Sequence, residues 1–369
     1  MTVRSGRRRG QLAEDASSAP KAAPTPRAAP DPTPAPSPVW SALTLLPNPL
    51  PEIALANVDT SVRFLGREIS LPVLLLEPQS SEALGPVAAL AQSRSLPLSI
   101  GDVGALATDP ALPASLQGLR LRAPDTILLG EIPATTLVPQ PDQPARDLDR
   151  LAEATHQAGL SGLIVRLDFD QAALAGNATP DATGALDAIA ALIRRLRLPV
   201  LVRCASGLAR HTARGLVERG VAGLLVAGTG PIPTAGGSGT PSPEQAQPRT
   251  LAPVFAGWGI PTVAAIRMLR SVGAPVISDG AVETGLDAAK AIALGADLIA
   301  LTPPADSGTS AEDALTAWLD TFTAEMRAAM FLAGALRIGG LRQIPFVATG
   351  ETREWLEAAE SLWRTDVGD

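Results

Sequence analysis

The sequence has 369 residues, of which 46% are apolar and 18% are charged, and its formal net charge is −7. This length suits either two domains or one large α/β barrel. The acidic balance argues against a nucleic-acid-binding protein, which would carry a strongly basic domain. Charged residues and prolines interrupt every apolar run before it reaches the length of a membrane span. We therefore expect a cytoplasmic protein that binds neither nucleic acid nor membranes.

Scarce residue types limit the chemistry that the side chains can supply. The single cysteine, Cys204, excludes a disulfide framework, and with only His156 and His211 the chain has no Cys/His metal cluster. There is no tyrosine, and lysine occurs only as Lys21 and Lys290. Mechanisms that need a histidine base, a tyrosine acid or a lysine Schiff base therefore have almost no candidates.

Residues 1–38 have the composition of a disordered tail. Between Ala16 and Pro38 there are eight prolines and seven alanines without apolar periodicity, and proline restricts the backbone and removes N–H donors. The basic run at residues 7–9 lacks the apolar stretch of a secretory signal. A solvated tail is therefore favoured over a targeting or anion-binding role, and residues 39–369 are predicted to form one folded domain.

From Val39 onward, short apolar runs alternate with amphipathic stretches. The apolar runs predict eight strands, over 71–77, 96–101, 126–132, 162–168, 199–204, 223–229, 275–280 and 298–303. Helices are predicted over 82–92, 147–158, 186–196, 209–219, 263–271 and 286–294. Uniformly apolar strands separated by helices are typical of a parallel sheet, and a count of about eight favours a closed (β/α)8 TIM barrel over an open, doubly wound sheet.

Two stretches depart from this alternation. Residues 231–249 form a long Gly/Pro/Ser loop after the sixth predicted strand, and long loops in compact domains are usually lids, binding loops or flexible insertions. In a barrel this loop lies on the carboxyl-terminal face, where active sites form. Residues 311–363 are predicted to be C-terminal helices whose apolar faces pack under the barrel.

Four segments, in this order along the chain, carry a family resemblance. They are LPEIALANVDTSVRFLG over Leu50–Gly66, FAGWGIPT over Phe255–Thr262, TGLDAAKAIALGAD over Thr284–Asp297 and GETREWL over Gly350–Leu356. The chain resembles the type 2, FMN-dependent isopentenyl-diphosphate isomerase family over nearly all of residues 39–363. The resemblance implies a (β/α)8 barrel that binds FMN at its carboxyl-terminal face. Family members interconvert isopentenyl and dimethylallyl diphosphate with reduced flavin, and with Mg²⁺ on the diphosphate.

Several departures from the family pattern concern the substrate and the metal ion. Residues 1–38 stand in place of a basic opening segment, and Glu77–Ser80 replaces a Met-Thr-Gly-Gly loop that lies against the flavin. Residues 101–104 read Gly-Asp-Val-Gly instead of Gly-Ser-Gln-Arg. Of a His-x-Asn-x-x-Gln-Glu motif over 166–172, only Gln171 remains, as a candidate catalytic remnant. Because Ala172 replaces the Mg²⁺-binding glutamate, we expect no metal site there.

Asp168 and Asp170 leave two interpretations open. They follow a predicted strand at alternate positions, where two acids could form a new Mg²⁺ site. Such residues more often cap the next helix or face solvent, and no matching set of neutral oxygen ligands accompanies them.

The resemblance also assigns residues to the flavin. The candidate FMN contacts are Arg203, Gly228, Thr229, Gly230, Gly280 and Ala281. Arg203 stands where the family has a flavin-contacting lysine, and the helix that begins near Gly285 would offer its N–H groups to an anion. Two acids, Asp279 and Glu283, add negative charge beside the expected phosphate site. The pair Pro303–Pro304 has no backbone N–H groups to donate. We therefore expect weak FMN binding or none.

Three functions remain open at this stage. The first is a degenerate family member that acts by association, either as a homo-oligomer or with an active isomerase or another enzyme of its pathway. The second is an active isomerase with an unusual site. The third is a flavin-binding oxidoreductase of the same fold.

Overall fold

Eight parallel strands close into a barrel. The computed structural model describes residues 38–365 except for 110, 142, 176–178, 229–250, 252, 253, 256 and 305–310. In chain order, the strands of this part are β1 (Leu43–Leu45), β2 (Val62–Phe64), β3 (Arg67–Ile69), β4 (Val73–Leu75), β5 (Leu98–Asp102), β6 (Leu128–Pro133), β7 (Gly162–Arg166), β8 (Val200–Cys204), β9 (Gly223–Val226), β10 (Val276–Asp279), β11 (Leu298–Leu301) and β12 (Phe346–Ala348). Strands β4 to β11 form the closed barrel, in which β11 pairs with β4. The predicted (β/α)8 TIM barrel is confirmed, and its strands are the eight that the apolar runs predict.

Helices surround the barrel. In chain order they are α1 (Pro38–Ser41), α2 (Leu84–Ser93), α3 (Leu112–Arg122), α4 (Leu148–Gln157), α5 (Phe169–Leu174), α6 (Ala185–Leu196), α7 (Arg210–Glu218), α8 (Thr262–Leu269), α9 (Gly285–Leu294), α10 (Ala311–Ala333), α11 (Ile338–Leu341) and α12 (Gly350–Thr365). The six predicted inter-strand helices are confirmed. The sequence analysis did not predict α3, although Leu112, Leu116 and Leu119 are spaced along one helical face and pack half-buried against the core. Within the described part of the chain, no helix is both long and apolar enough to cross a membrane.

A hairpin covers the amino-terminal end of the barrel. β2 and β3 pair antiparallel around a turn at Leu65 and Gly66, both of which have positive φ angles, 46° and 81°. This geometry matches the tight turns that join two twisted strands. Phe64 and Ile69 of the hairpin belong to the same buried cluster as the barrel-filling Leu129. The hairpin therefore covers the barrel interior at this end, and active sites of such barrels form at the carboxyl ends of the strands.

The predicted location of the C-terminal helices is wrong. α10 packs against α9 and α2 as the eighth helix of the outer ring, not under the barrel, because a helix after a barrel strand crosses over beside the sheet. Gly334, with a φ of 82°, follows the end of α10. The segment is also not wholly helical, since β12 pairs antiparallel with β1 before α12 packs on α8.

Two predicted segments fall outside the described residues. Residues 1–37 of the tail and the loop at 231–249 are not described, so their predicted disorder and flexibility stay predictions. All described residues belong to one unit, Pro36–Asp369.

Trp40 anchors α1 on the outer ring of the barrel. Its side chain is 0% exposed, and its carbonyl oxygen accepts a hydrogen bond of 2.8 Å from Nζ of Lys290 on α9. Burial lowers the pKa of Lys290, which the nearby carboxylate of Asp287 partly offsets. The anchor therefore combines a large buried ring with a charge-assisted hydrogen bond.

Trp40→Ala should destabilise the fold by about 3–5 kcal/mol, because it leaves a large cavity in a packed region. Urea unfolding followed by circular dichroism measures this change in the free energy of unfolding. Trp258→Ala is the matched control: its ring is 66% exposed, so we expect a change within about 0.5 kcal/mol. Equal effects of the two substitutions would contradict the proposed anchor.

Candidate functional site

A charged cluster crosses the carboxyl end of the barrel and is centred on Arg203 of β8. Nε and Nη2 of Arg203 donate to the two carboxylate oxygens of Asp279 on β10, at 2.5 and 3.2 Å. Nη1 donates to both carboxylate oxygens of Glu131 on β6, at 3.2 and 3.1 Å. Since pairing through two hydrogen bonds fixes the plane of a guanidinium, Arg203 is tied to strands on both sides of its own.

A second arginine extends the cluster. Nη2 of Arg166, the last residue of β7, donates to Oδ2 of Asp102 at 2.6 Å, and its Nη1 lies 3.6 Å from Oε2 of Glu131. Oδ1 of Asp102 accepts from the N–H of Gly104 at 2.6 Å. Glu131 also accepts from the hydroxyl of Ser99 at 2.8 Å. Glu131 therefore lies between the two arginines and is shared by them.

The carboxylates hold both arginines in the charged state. Burial by itself would lower the pKa of Arg203, but Asp279 and Glu131 raise it well above its usual value. Burial likewise opposes the charge of Arg166, but the hydrogen bond to Asp102 and the negative charges of Asp102, Glu131 and Asp168 together outweigh that effect and raise its pKa. The positive charge at this end of the barrel is thus neutralised by acids of the same chain.

Glu77 adds a further acid beside the cluster. Its side chain, just after β4, lies against Gly101, whose φ is 77°: a Cβ at Gly101 would be 1.6 Å from Oε2 of Glu77. Burial raises the pKa of Glu77, and the negative charges of Glu131 and Asp102 raise it further. Arg166 offsets only part of this effect.

A cavity of about 250 Å³ opens beside the charged cluster. It is lined by Arg166, Leu167, Asp168, Gln171, Arg203, Ala205, Ala227 and Asp279. Cys204 does not line it. Cys204 is 6% exposed within the core, its thiol donates to the carbonyl of Gly207 at 2.9 Å, and burial raises the pKa of that thiol, so it lacks the features of a nucleophile.

Comparisons with known proteins identify the family. The profile of the FMN-dependent dehydrogenases matches residues 140–344. The isopentenyl-diphosphate delta-isomerase of Methanoregula boonei is 32% identical over 324 residues, which cover 85% of this chain and 89% of that protein. The protein of the same name from Xanthobacter autotrophicus is 33% identical over 308 residues, or 80% and 87% of the two chains. The chain belongs to the type 2 isopentenyl-diphosphate isomerase family.

Solved structures of mandelate oxidase share the fold. The complex with benzoyl-formic acid superposes with a TM-score of 0.58 at 19% sequence identity, covering 85% of this chain and 88% of that chain. The complex with (S)-2-phenylpropionate gives the same TM-score and identity, with coverages of 84% and 87%. At this level of identity the likeness shows the barrel fold alone.

Two site residues that the resemblance to the isopentenyl-diphosphate isomerase family assigned lie together. Arg203, at the position of the flavin-contacting lysine, is the centre of the charged cluster. Gln171, the candidate catalytic remnant, lies on α5 and lines the same cavity as Arg203. The catalytic and flavin-binding roles of both residues stay predictions.

The glycine turns after β9 and β10 also adjoin one another. A Cβ at Gly228 would lie 2.2 Å from the backbone nitrogen of Thr262, so glycine is required where this turn meets α8. Gly280 and Ala281 follow β10 with φ angles of 141° and 56°, and a Cβ at Gly280 would be 3.8 Å from Ala227 Cβ. Thr229 and Gly230 lie outside the described residues.

The start of α9 is less open to an anion than we expected. The N–H of Gly285 donates to Oε2 of Glu325 on α10 at 2.8 Å, and the N–H of Asp287 donates to the hydroxyl of Thr284 at 3.1 Å. A Cβ at Gly285 would lie 2.3 Å from the carbonyl oxygen of Phe322. Because Gly285 has no side chain, α10 can pack closely against the N-terminus of α9, and the carboxylate of Glu325 accepts a hydrogen bond there.

The two acids before and within α5 are engaged separately. Asp168 accepts from the N–H and the hydroxyl of Thr135, both at 3.1 Å, and so does not cap α5. Oδ1 of Asp170 accepts from the N–H of Gln171 at 2.8 Å. Among the described residues, no three His, Cys, Asp or Glu side chains are grouped so that they could hold a metal ion.

Sequence reasoning identified the acids of this site but not their pairing. The resemblance marks Asp102 and Asp279 as departures from the family pattern, whereas the structure makes them, together with Glu131, the partners of Arg166 and Arg203. A signal was present. The acids and arginines all stand at the carboxyl ends of barrel strands, where parallel strands bring their last residues to one level.

Replacing Glu77 by glutamine should alter the pH dependence of stability. Because the folded state raises the pKa of Glu77 above its usual value of 4.5, the folded protein holds this proton more tightly than the unfolded chain. The stabilisation is complete below the usual pKa and is lost as the pH rises through the folded value. Glu77→Gln should therefore raise Tm slightly at about pH 7, and the difference should vanish by about pH 4.

Scanning calorimetry at several pH values measures this effect. Glu218→Gln, at an exposed helix end, is the control and should show no such trend. A lower Tm for Glu77→Gln at neutral pH would contradict the repulsion inferred from the geometry.

Proposed function

We propose that this chain is a degenerate member of its family, with lost or much reduced isomerase activity, and that it acts by association with an active isomerase or another enzyme of the same pathway. The contact between Arg203 and the carboxylates of Glu131 and Asp279 carries this proposal. The cation that the resemblance assigns to the flavin is instead bound to two acids of its own chain.

The donor set of the described residues does not fit FMN. The guanidinium of Arg203 is engaged by two carboxylates, and the N–H of Gly285 is taken by Glu325. Pro303 and Pro304, at the other phosphate-binding loop, have no N–H to donate.

The charges at the substrate side support the same proposal. Family members hold the diphosphate with basic groups and Mg²⁺. Here Arg166 is the basic residue gained, and it is already paired with Asp102 and lies near Glu131. Ala172 supplies no ligand for a hard cation. An incoming diphosphate would therefore have to displace carboxylates from both arginines.

We expect no saturable, Mg²⁺-dependent binding of isopentenyl diphosphate at sub-millimolar concentration, and no turnover to dimethylallyl diphosphate with reduced FMN. Calorimetry measures the binding, and chromatography of the products measures the turnover. Ala172→Glu should not rescue either, because the metal ligand and the diphosphate contacts are separate losses. The Methanoregula boonei relative is the matched control.

An active isomerase is the second candidate, since relatives at 32% and 33% identity carry that name. Micromolar substrate binding and product formation by the unmodified chain would establish it and overturn the proposal. A flavin-binding oxidoreductase is the remaining alternative from the sequence. A purified protein that holds flavin without isomerising the substrate would favour it.

Association is tested separately, by mixing the full chain with an active type 2 isomerase. Co-elution of the two chains, together with a change in the kcat/KM of the active enzyme, would support the proposed role. Independent elution and unchanged kinetics with the isomerase and with other enzymes that make or use its substrate would refute it. We place this role in the cytoplasm.

A further inference from the structure

A second cavity lies at the opposite end of the barrel from the charged cluster. Its volume is about 500 Å³, against about 250 Å³ for the cavity beside Arg203. Its walls come from the segments that lead into β10 and β11 and from the residues that follow α11. The active sites of such barrels form at the other end, so this cavity is separate from the site described above. The polar side chains on its walls are those of Arg270, Ser271, Asp297, Arg342 and Gln343.

Arg270 brings an unpaired charge to this cavity. Its side chain is exposed just after α8, and its stem lies on Gly295, where a Cβ would be 3.0 Å from Cβ and 3.3 Å from Cδ of Arg270. The carbonyl oxygens of Met268 and Arg270 accept from Nη1 of the buried Arg210, at 2.7 and 3.4 Å. The guanidinium of Arg270 has no hydrogen bond or ion pair within the described part of the chain. The base of this side chain is therefore fixed, whereas its charged group is open to a ligand.

Arg342 supplies a second guanidinium, which is only partly engaged. Its Nη2 donates to Oδ1 of Asp297 and to the carbonyl oxygen of Ala296, the latter at 3.3 Å. Asp297 is itself held by the N–H of Val276, which donates to its Oδ2 at 2.8 Å. Because a guanidinium has five N–H donors, Arg342 keeps donors for a ligand. The cavity is lined by two arginines and one acid, so its walls carry a net positive charge.

The loop between α8 and β10 adds neutral donors. Ser271 and Gly273 have positive φ angles, 67° and 101°, so the chain turns sharply beside the cavity. The hydroxyl of Ser271 and the N–H groups of Gly273 and Ala274 have no partner among the residues that the structure describes. These groups lie on the same walls as the two guanidiniums. The cavity therefore combines positive charge with several unengaged hydrogen-bond donors.

We propose that this cavity binds a small molecule through a phosphate group. A phosphate dianion has three terminal oxygens, which accept from guanidiniums, hydroxyls and backbone N–H groups together. A carboxylate has two oxygens and one charge, so it would leave more of these donors without a partner. The volume lies within the ~300–1,000 Å³ of ligand sites, which leaves room for an organic group against Ala274 and Pro275. The proposal does not depend on whether the barrel is catalytic or binds FMN.

Calorimetric titration of the full chain with ribose 5-phosphate tests the proposal. We expect saturable binding at millimolar concentration or below, and weaker binding of inorganic phosphate, which lacks the organic group. Arg270→Gln should raise the dissociation constant at least about tenfold. Arg270→Lys keeps the charge but loses the planar fork, so it should weaken binding less. Arg122→Gln is the matched control, because Arg122 is an exposed arginine at the end of α3 with no ion pair among the described residues, and it should leave the dissociation constant unchanged.

Gln343→Glu is a second variant in case Arg270→Gln impairs folding. It keeps the shape of an exposed side chain and adds a negative charge to the wall, so it should also weaken binding at least about tenfold. Failure of ribose 5-phosphate to bind would overturn the proposal, as would equal binding by the folded Arg270→Gln and Gln343→Glu variants. Equally tight binding of succinate would overturn it in favour of a carboxylate ligand. Loss of binding in Arg166→Gln but not in Arg270→Gln would overturn it by placing the phosphate at the carboxyl end of the barrel.

Discussion

The pairing of Arg203 with Glu131 and Asp279 is the constraint on which the site depends. A guanidinium placed between barrel strands cannot lose its charge, so it must be matched by acids or exposed to water. Here Asp279 and Glu131 match it from the strands two places away on either side. These ion pairs connect β6, β8 and β10 across the carboxyl end of the barrel.

The fold itself does not depend on these charged groups. The barrel interior is filled by apolar side chains and covered below by the β2–β3 hairpin, and helices cover its outside. None of this packing requires a ligand. Substitutions at the strand ends can therefore replace ligand contacts by ion pairs without disturbing the core, since a fold does not determine the function of the site that it carries.

Much of the fold could be predicted from the sequence, because the parallel strands of a barrel are continuous apolar runs. Capping residues such as Asp147 mark where the helices between them begin. The β2–β3 hairpin was missed because charged residues interrupt its short strands, Val-Arg-Phe and Arg-Glu-Ile, so that neither is an apolar run. The pairing at the site was missed for another reason. Arg203 is 72 residues from Glu131 and 76 from Asp279, so only the closure of the barrel brings them together.

The start of α9 shows the same limit of sequence reasoning. Its cap at Thr284 is a local feature, but the carboxylate of Glu325 reaches it from a helix 40 residues away. Local patterns predict elements, whereas the partners of charged groups depend on how the elements pack.

If Glu131 and Asp279 hold Arg203 as described, they oppose the binding of a flavin. A titration with FMN, followed by the change in flavin absorbance, tests it most directly on the unmodified chain and on the Glu131→Asn/Asp279→Ser double variant. We predict no saturable binding to the unmodified chain at sub-millimolar FMN, and at least about tenfold tighter binding, ~1.4 kcal/mol, by the double variant. Micromolar binding of FMN to the unmodified chain, undiminished by the presence of both carboxylates, would contradict the account.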